Sequence, residues 1–329
     1  MPASNHAIQN GSNGASNKTS DNSKKPVMLI TSPRTGSNLL QKILSAQEGF
    51  RHSNYVFFDI CMKLSFELLN KGRAKDVDPK VWDEYMTEYQ RNFGQLLEKI
   101  ETNRQEGFAT FHKEHISFLV DPIFLFKKAY PDDEGSRFVV RYPDGRDVKP
   151  KQTSCLLLPD DFLLGTVPVM LIRHPAKIIA SLFRAQQDVG FDVLAPHMQV
   201  FIGLEWMLQL HEWYCDHGIT PVIIDANDVM TEPRVLEKLC ERCDMEPDQI
   251  LASWDEDEES ENRIMARFTD TLRGSTGIVV GKGSAGIDLQ KEKNGWKEEF
   301  GDEIQVHMVV LLDRLLPLYD ELYKMRLTV

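Results

Sequence analysis

Arg34-Thr-Gly-Ser-Asn38 places a cation, two hydroxyls, a glycine and an amide in one short stretch. Apolar Val27 to Ile30 precede it, and Leu39, Leu40, Ile43 and Leu44 follow at helical spacing. A strand, a tight polar turn and a helix aim backbone N–H groups and the positive end of a helix dipole at an anion. Gly36 lets the backbone approach closely, Thr35 and Ser37 add hydroxyl donors, and Arg34 adds a fixed guanidinium. The chemistry this implies is the holding of a phosphate-like group. The same pattern occurs in α/β proteins that bind nothing, so the stretch alone leaves both readings open. It is not the nucleotide-hydrolase loop, because Gly36 is followed by Ser-Asn-Leu-Leu-Gln-Lys rather than Lys-Ser/Thr.

The elements that must position these groups are legible in the hydrophobic pattern. Val167-Pro-Val-Met-Leu-Ile172 reads as a second buried strand running into Arg173-His174-Pro175, with Ile178, Ile179, Leu182 and Phe183 on one face of the next helix. Gly107 to Phe111 reads as a short strand ending at His112-Lys-Glu-His115, and Pro221 to Ile224 as another. Helices are expected over Val77–Ile100, Val200–Tyr214, Pro233–Cys243 and Val306–Tyr323. Residues 54 to 70 are apolar and aromatic; Tyr55, Phe57 and Phe58 either line a pocket or belong to the core. Strands alternating with helices predict a three-layer α/β fold around a mostly parallel sheet. Ligands in such sheets sit at the carboxyl ends of the strands, where Arg34, His115 and Arg173 all fall.

Bulk properties narrow the class. The chain has 329 residues, 42% hydrophobic and 27% charged, as in a globular protein. Its net charge of −12 argues against nucleic acid or an anionic membrane as partner, and an anionic small molecule would need a local cluster of cations. Residues 1–25, rich in Asn, Ser, Gly and Lys, read as a disordered tail, and 26–329 as a single domain. Residues 130–160, rich in charge, Pro and Gly, read as a surface excursion or lid. There is no signal-peptide core and no membrane-length apolar run, and five cysteines make no disulfide framework. A cytoplasmic location is expected. Cys240 and Cys243 have the spacing of a metal or redox pair, but they fall within a helical pattern with no second pair, so ordinary thiols are expected. No metal is expected. Oligomeric state is not readable.

Several motifs in order resemble PAPS-dependent sulfotransferases (PAPS is 3′-phosphoadenosine 5′-phosphosulfate), whose fold is P-loop-like. Pro33-Arg-Thr-Gly-Ser-Asn38 is similar to the family's 5′-phosphosulfate loop. Arg173-His-Pro with Ser181 is similar to its 3′-phosphate motif. Lys113-Glu-His115 resembles the segment with the catalytic histidine. Asp225-Ala-Asn-Asp228 with Glu232-Pro233 resembles the acidic strand end and the helix start that follow. Gly281-Lys-Gly283, then Gly295-Trp-Lys297 and Phe300, resemble the C-terminal stretch over the nucleotide. Arg34 stands where many cytosolic members carry lysine; an arginine there is similar to the carbohydrate branch. Asn38 replaces a hydroxyl, and Gly281 sits where an arginine usually precedes Lys-Gly.

The resemblance implies in-line transfer of a sulfuryl group from PAPS to a hydroxyl or amine of a small, partly apolar metabolite, releasing 3′,5′-ADP. His115 would be the general base, and Arg34 would stabilise charge on the bridging oxygen. The nucleotide would be held by Arg34, Thr35, Gly36, Ser37, Asn38, Leu39, Arg173, Ser181, Lys282 and Gly283. Two other readings remain: a member of the fold that binds without transferring, and an ATP-dependent kinase, against which the missing Gly-Lys-Ser/Thr argues.

Overall fold

The computed structural model describes residues 24–146, 151–255, 267, 272–279 and 283–329. Five strands form one sheet: β1 (Val27–Thr31), β2 (Phe50–Asn54), β3 (Ala109–His115), β4 (Val167–Ile172) and β5 (Val222–Asp225). Their order is β2-β3-β1-β4-β5, and every pairing is parallel. Helices cover both faces, so the sheet is the middle of three layers. β1 is buried at every position, as expected of a central parallel strand packed on both sides. Met28 and Ile30 face one apolar cluster, shared with Ile178, Ile179 and Leu182. Val27 and Leu29 face the other, shared with Leu40, Ile43 and Leu236.

Register decides where the chemistry converges. Thr31, the last residue of β1, lies opposite His115 of β3 and Leu171 of β4. The turn after β1 therefore emerges between His115 and Arg173, and Ile172 in turn lies opposite Asp225 of β5.

Several elements differ from the sequence expectation. β3 runs on through His115, so His112, Lys113 and Glu114 are buried strand residues rather than a polar exit from a strand. β2 escaped notice because it is an edge strand with exposed polar positions. The expected helix over 200–214 is broken at Gly203, giving Met198–Phe201 and Leu204–Asp216; a Cβ on Gly203 would meet the Trp206 ring at 2.6 Å. The segments 130–146 and 151–160 carry almost no regular structure up to Asp160, yet Val140, Tyr142 and Leu156–Leu158 are buried. Arg137 anchors them, donating to Asp121 and to the carbonyls of Gln152 and Leu156. Cys240 and Cys243 are free, buried thiols. Among the described residues no helix is long and apolar enough to cross a membrane.

Candidate anion-binding and acceptor site

The turn after β1 is held open by backbone conformation. Arg34 has φ +64° and Gly36 has φ +88°, both left-handed. A side chain other than glycine at position 36 would be strained. Among the described residues, nothing beyond the turn's own neighbouring residues lies within 4 Å of where a Cβ on Gly36 would sit, so the turn presents backbone to that space. Among the described residues no side chain caps the helix Ser37–Ile43, which leaves its first N–H groups available to a ligand. Thr35 serves the turn itself: its hydroxyl donates to the Ser32 carbonyl at 2.8 Å and bonds Thr31, and the residue is fully buried. The buried Ser32 hydroxyl has no partner among the described residues.

β4 ends in a second arginine. Arg173 donates to the carbonyl oxygen of Arg34 at 2.8 Å, and Arg34 Nε donates to Ser181 Oγ at 2.8 Å. The two arginines and the serine thus form one connected group spanning both turns. Burial lowers the Arg173 pKa, and the nearby Asp225 carboxylate opposes that shift. Lys177 and Arg184, one turn to either side of Ser181, face the same space. They pair with Glu292 and Glu299 of the helix Leu289–Phe300 at 2.7 Å and 2.5 Å. Positions 177, 181 and 184 share one helix face, a spacing legible in the sequence itself.

His115 closes β3 and faces Tyr55, whose hydroxyl lies 3.2 Å from His115 Nε2. His115 Nδ1 is buried with no hydrogen-bond partner among the described residues. Burial, and then the cations of Lys113 and Arg34, push the imidazole pKa well below its ordinary value. It is therefore neutral at neutral pH. Lys113 is fully buried; its ammonium donates to Asn38 Oδ1 and lies 4.5 Å from the centre of the Tyr55 ring. Burial pushes its pKa down to about 7, with Glu114 opposing. Asn38 thus accepts a hydrogen bond from a cation inside the turn. In the sequence Lys113 stands out only as a neighbour of His115. Its burial followed from β3 continuing past Phe111, which no apolar run announced.

One cavity of about 410 Å³ gathers most of these groups. Its polar end is lined by Arg34, Thr35, Gly36, Ser37, Asn38, Leu39, Arg173 and Ser181, with His115 beside them. Its other end is apolar, with Tyr55, Phe58, Met62, Phe118, Phe191 and Phe201. The aromatic stretch read from the sequence divides here. Tyr55 and Phe58 face the cavity, while Phe57 is core and stacks on Tyr89 at 4.5 Å. None of the described residues between 130 and 160 lines the cavity. Lys282 lies outside the described residues. Gly283 does not line the cavity; it packs on Asn227, whose Oδ1 accepts from the N–H groups of Ser284 and Ala285 at 3.0 and 3.2 Å. Trp296 is buried, and Lys297 pairs on the surface with Asp302 at 2.7 Å.

No family model matches the chain. It is 28% identical over 343 aligned positions to Sulfotransferase ppzF of Metarhizium majus (strain ARSEF 297), covering 94% of this chain and 99% of that protein. It is likewise 28% identical to Sulfotransferase ppzF of Metarhizium rileyi (strain RCEF 4871), covering 91% and 95%. These relatives support a sulfotransferase. A sulfotransferase needs a donor bearing an activated sulfate and an acceptor beside it, and a single cavity with a cationic and an apolar end has the shape for that pairing.

Proposed function

We propose that the protein transfers a sulfuryl group from PAPS to a hydroxyl or amine of a small, partly apolar metabolite, as a cytoplasmic enzyme, and releases 3′,5′-ADP. The observation that carries this reading is the continuity of the cavity. Bare turn backbone with Arg34, Arg173 and Ser181 gives way directly to a neutral His115 and then to aromatic walls.

The residues fit a nucleotide with phosphates on two sides of its ribose. Gly36, Ser37 and Asn38 present the N–H groups that receive the 5′-phosphosulfate, and Arg173 with Ser181 receives the 3′-phosphate; Lys282 and Gly283 belong to the same proposal by motif. In the transfer, the acceptor oxygen forms a new bond to sulfur while the bond from sulfur to the bridging phosphate oxygen breaks. His115 takes the acceptor's proton at Nε2, the acceptor replacing the Tyr55 hydroxyl as its hydrogen-bond donor. Arg34 and the turn N–H groups stabilise the negative charge that collects on the leaving phosphate oxygen. The lowered pKa keeps the His115 lone pair available. Positioning and charge stabilisation supply the rest of the rate, by analogy with phosphoryl transfer.

The test is release of 3′,5′-ADP from PAPS across a panel of hydroxyl and amine acceptors, alongside thermal stabilisation by 3′,5′-ADP. Replacing His115 by Ala should leave 3′,5′-ADP binding intact and lower turnover about 10²- to 10⁴-fold. Unchanged turnover removes His115 from the mechanism. Stabilisation by ATP with Mg²⁺ but not by 3′,5′-ADP overturns the donor assignment. Binding of 3′,5′-ADP without transfer to any acceptor would mark a protein that only binds.

A further inference from the structure

At the apolar end of the cavity stands one buried polar side chain, Gln186, which is 2% exposed and lines the cavity one helical turn beyond Leu182. The polarity of its amide is set by a chain of hydrogen bonds behind it. The His197 backbone N–H can only donate, and it donates to Asn70 Oδ1 at 3.0 Å. Asn70 Nδ2 must then be its NH₂ group, and it lies 2.9 Å from His197 Nδ1. A proton on Nδ1 would set two donors against each other. The 3.2 Å contact from Nδ1 to Asn70 Oδ1 is longer and does not remove that clash. Nδ1 therefore carries the lone pair, and Nε2 carries the hydrogen of a neutral ring. His197 is fully buried among Phe66 and Phe201, and burial lowers its pKa to about 4, in keeping with a neutral ring. His197 Nε2–H then donates to Gln186 Oε1 at 3.0 Å. What remains of Gln186 is its NH₂ group. That nitrogen has no protein partner among the described residues, and it is not among the polar atoms sealed from solvent.

We infer that Gln186 is a specificity residue: its NH₂ donates to a carbonyl oxygen or ring nitrogen on the far end of the acceptor. The substrate class is an uncharged, flat, ring-bearing hydroxyl compound with a hydrogen-bond acceptor remote from the reacting hydroxyl. Aromatic walls at Tyr55, Phe58, Phe118, Phe191 and Phe201 favour ring faces. Lys177 and Arg184, the cations on the same helix, are paired with Glu292 and Glu299. Gln186 lies five residues beyond Ser181 on this helix, on the order of 7.5 Å along its axis, which sets it away from the residue proposed for the 3′-phosphate. This inference rests on the acceptor end of the reading above and needs no sulfuryl transfer to be tested.

The probes are 7-hydroxycoumarin and 2-naphthol, bicyclic phenols of similar outline, of which only the first has a remote carbonyl. Kd is measured for each with 3′,5′-ADP present and no PAPS. The expected preference for 7-hydroxycoumarin is about 5- to 150-fold, the cost of leaving a buried donor unpaired. In Gln186→Met and in Gln186→Glu, neither of which presents the NH₂ group, the ratio should fall towards one. Equal Kd values in the unaltered protein, binding of neither probe, or a ratio that survives both substitutions overturns the inference. Release of 3′,5′-ADP from PAPS is scored separately: a preserved Kd ratio without release would leave Gln186 as a specificity residue and reject the transferase reading.

Discussion

β1 and β4 are neighbours that end at the same edge of the sheet, and each leads through an arginine into a helix. The two turns are built to opposite purposes. After β1 the chain takes two left-handed residues, and no side chain caps the helix start. After β4 the helix Pro175–Asp188 is closed off. Pro175 has no N–H to offer, and the His174 side chain accepts from the Ala176 N–H at 3.2 Å. Among the described residues, one helix start thus keeps its first N–H groups unclaimed by any side chain, while the other is capped within the protein. The arginines follow suit: Arg173 supports the open turn through the carbonyl of Arg34. A sequence motif at a strand end is therefore not by itself a binding site. What distinguishes the two turns is where their backbone donors go.

Closing the open turn is the strongest way to break this contrast. Gly36→Val forces a β-branched side chain into a left-handed conformation and covers the bare backbone. Binding of 3′,5′-ADP, measured by calorimetry, should weaken by about 10²-fold or more. Normal binding in that variant would mean that the turn backbone holds nothing. Next in size, Arg34→Ala should weaken 3′,5′-ADP binding by about 10- to 100-fold, the scale of lost charge-assisted hydrogen bonds. Arg173→Ala should weaken it less, by about tenfold, because part of its role is to brace a carbonyl. The reverse ranking would move the main anion contact to β4.

The smaller effects concern the closed turn and the lysine beneath the open one. His174→Ala should cost about 1 kcal/mol of stability through the lost cap, read by chemical denaturation, with little change in nucleotide affinity. A large affinity loss would show that the His174 cap also sets the position of Arg173 towards the ligand. Lys113 makes a pH prediction. Its pKa is about 7 when folded against an ordinary 10.5, so above pH 7 the unfolded chain binds more protons. Stability of the ligand-free protein should then rise with pH from about 7 to 7.5, below the range in which the unfolded chain's thiols lose most of their protons while the buried thiols Cys61, Cys155, Cys240 and Cys243 keep theirs. The slope of Tm against pH in that window should flatten in Lys113→Met; an equal slope would remove Lys113 as its source.

The apolar runs of β1, β4 and β5 made the sheet readable from sequence, because interior parallel strands announce themselves by continuous hydrophobicity. β2 and the second half of β3 carry no such run. Arg51, His52 and Ser53 lie on an edge, and His112, Lys113 and Glu114 are buried by tertiary packing that no local pattern encodes. Arg34, Arg173 and His115 could be picked out by type and by their places at strand ends, and Ser181 by its resemblance to a family motif. Gln186 could not, since its role depends on Asn70 and His197, each remote in sequence from the other, and on the direction of every hydrogen bond between them.

The hydrogen bond from Arg173 to Arg34 spans 139 positions of the chain. β1 itself pairs only with β3 and β4, both far downstream of it. During synthesis or refolding, the first strand must wait for partners that arrive much later. Such long-range parallel pairing is intrinsically slow. The open turn thus acquires its brace only once β4 has docked. A nucleotide analogue added during refolding should bind in the last kinetic phase, making ligand capture a stopwatch for completion of the sheet.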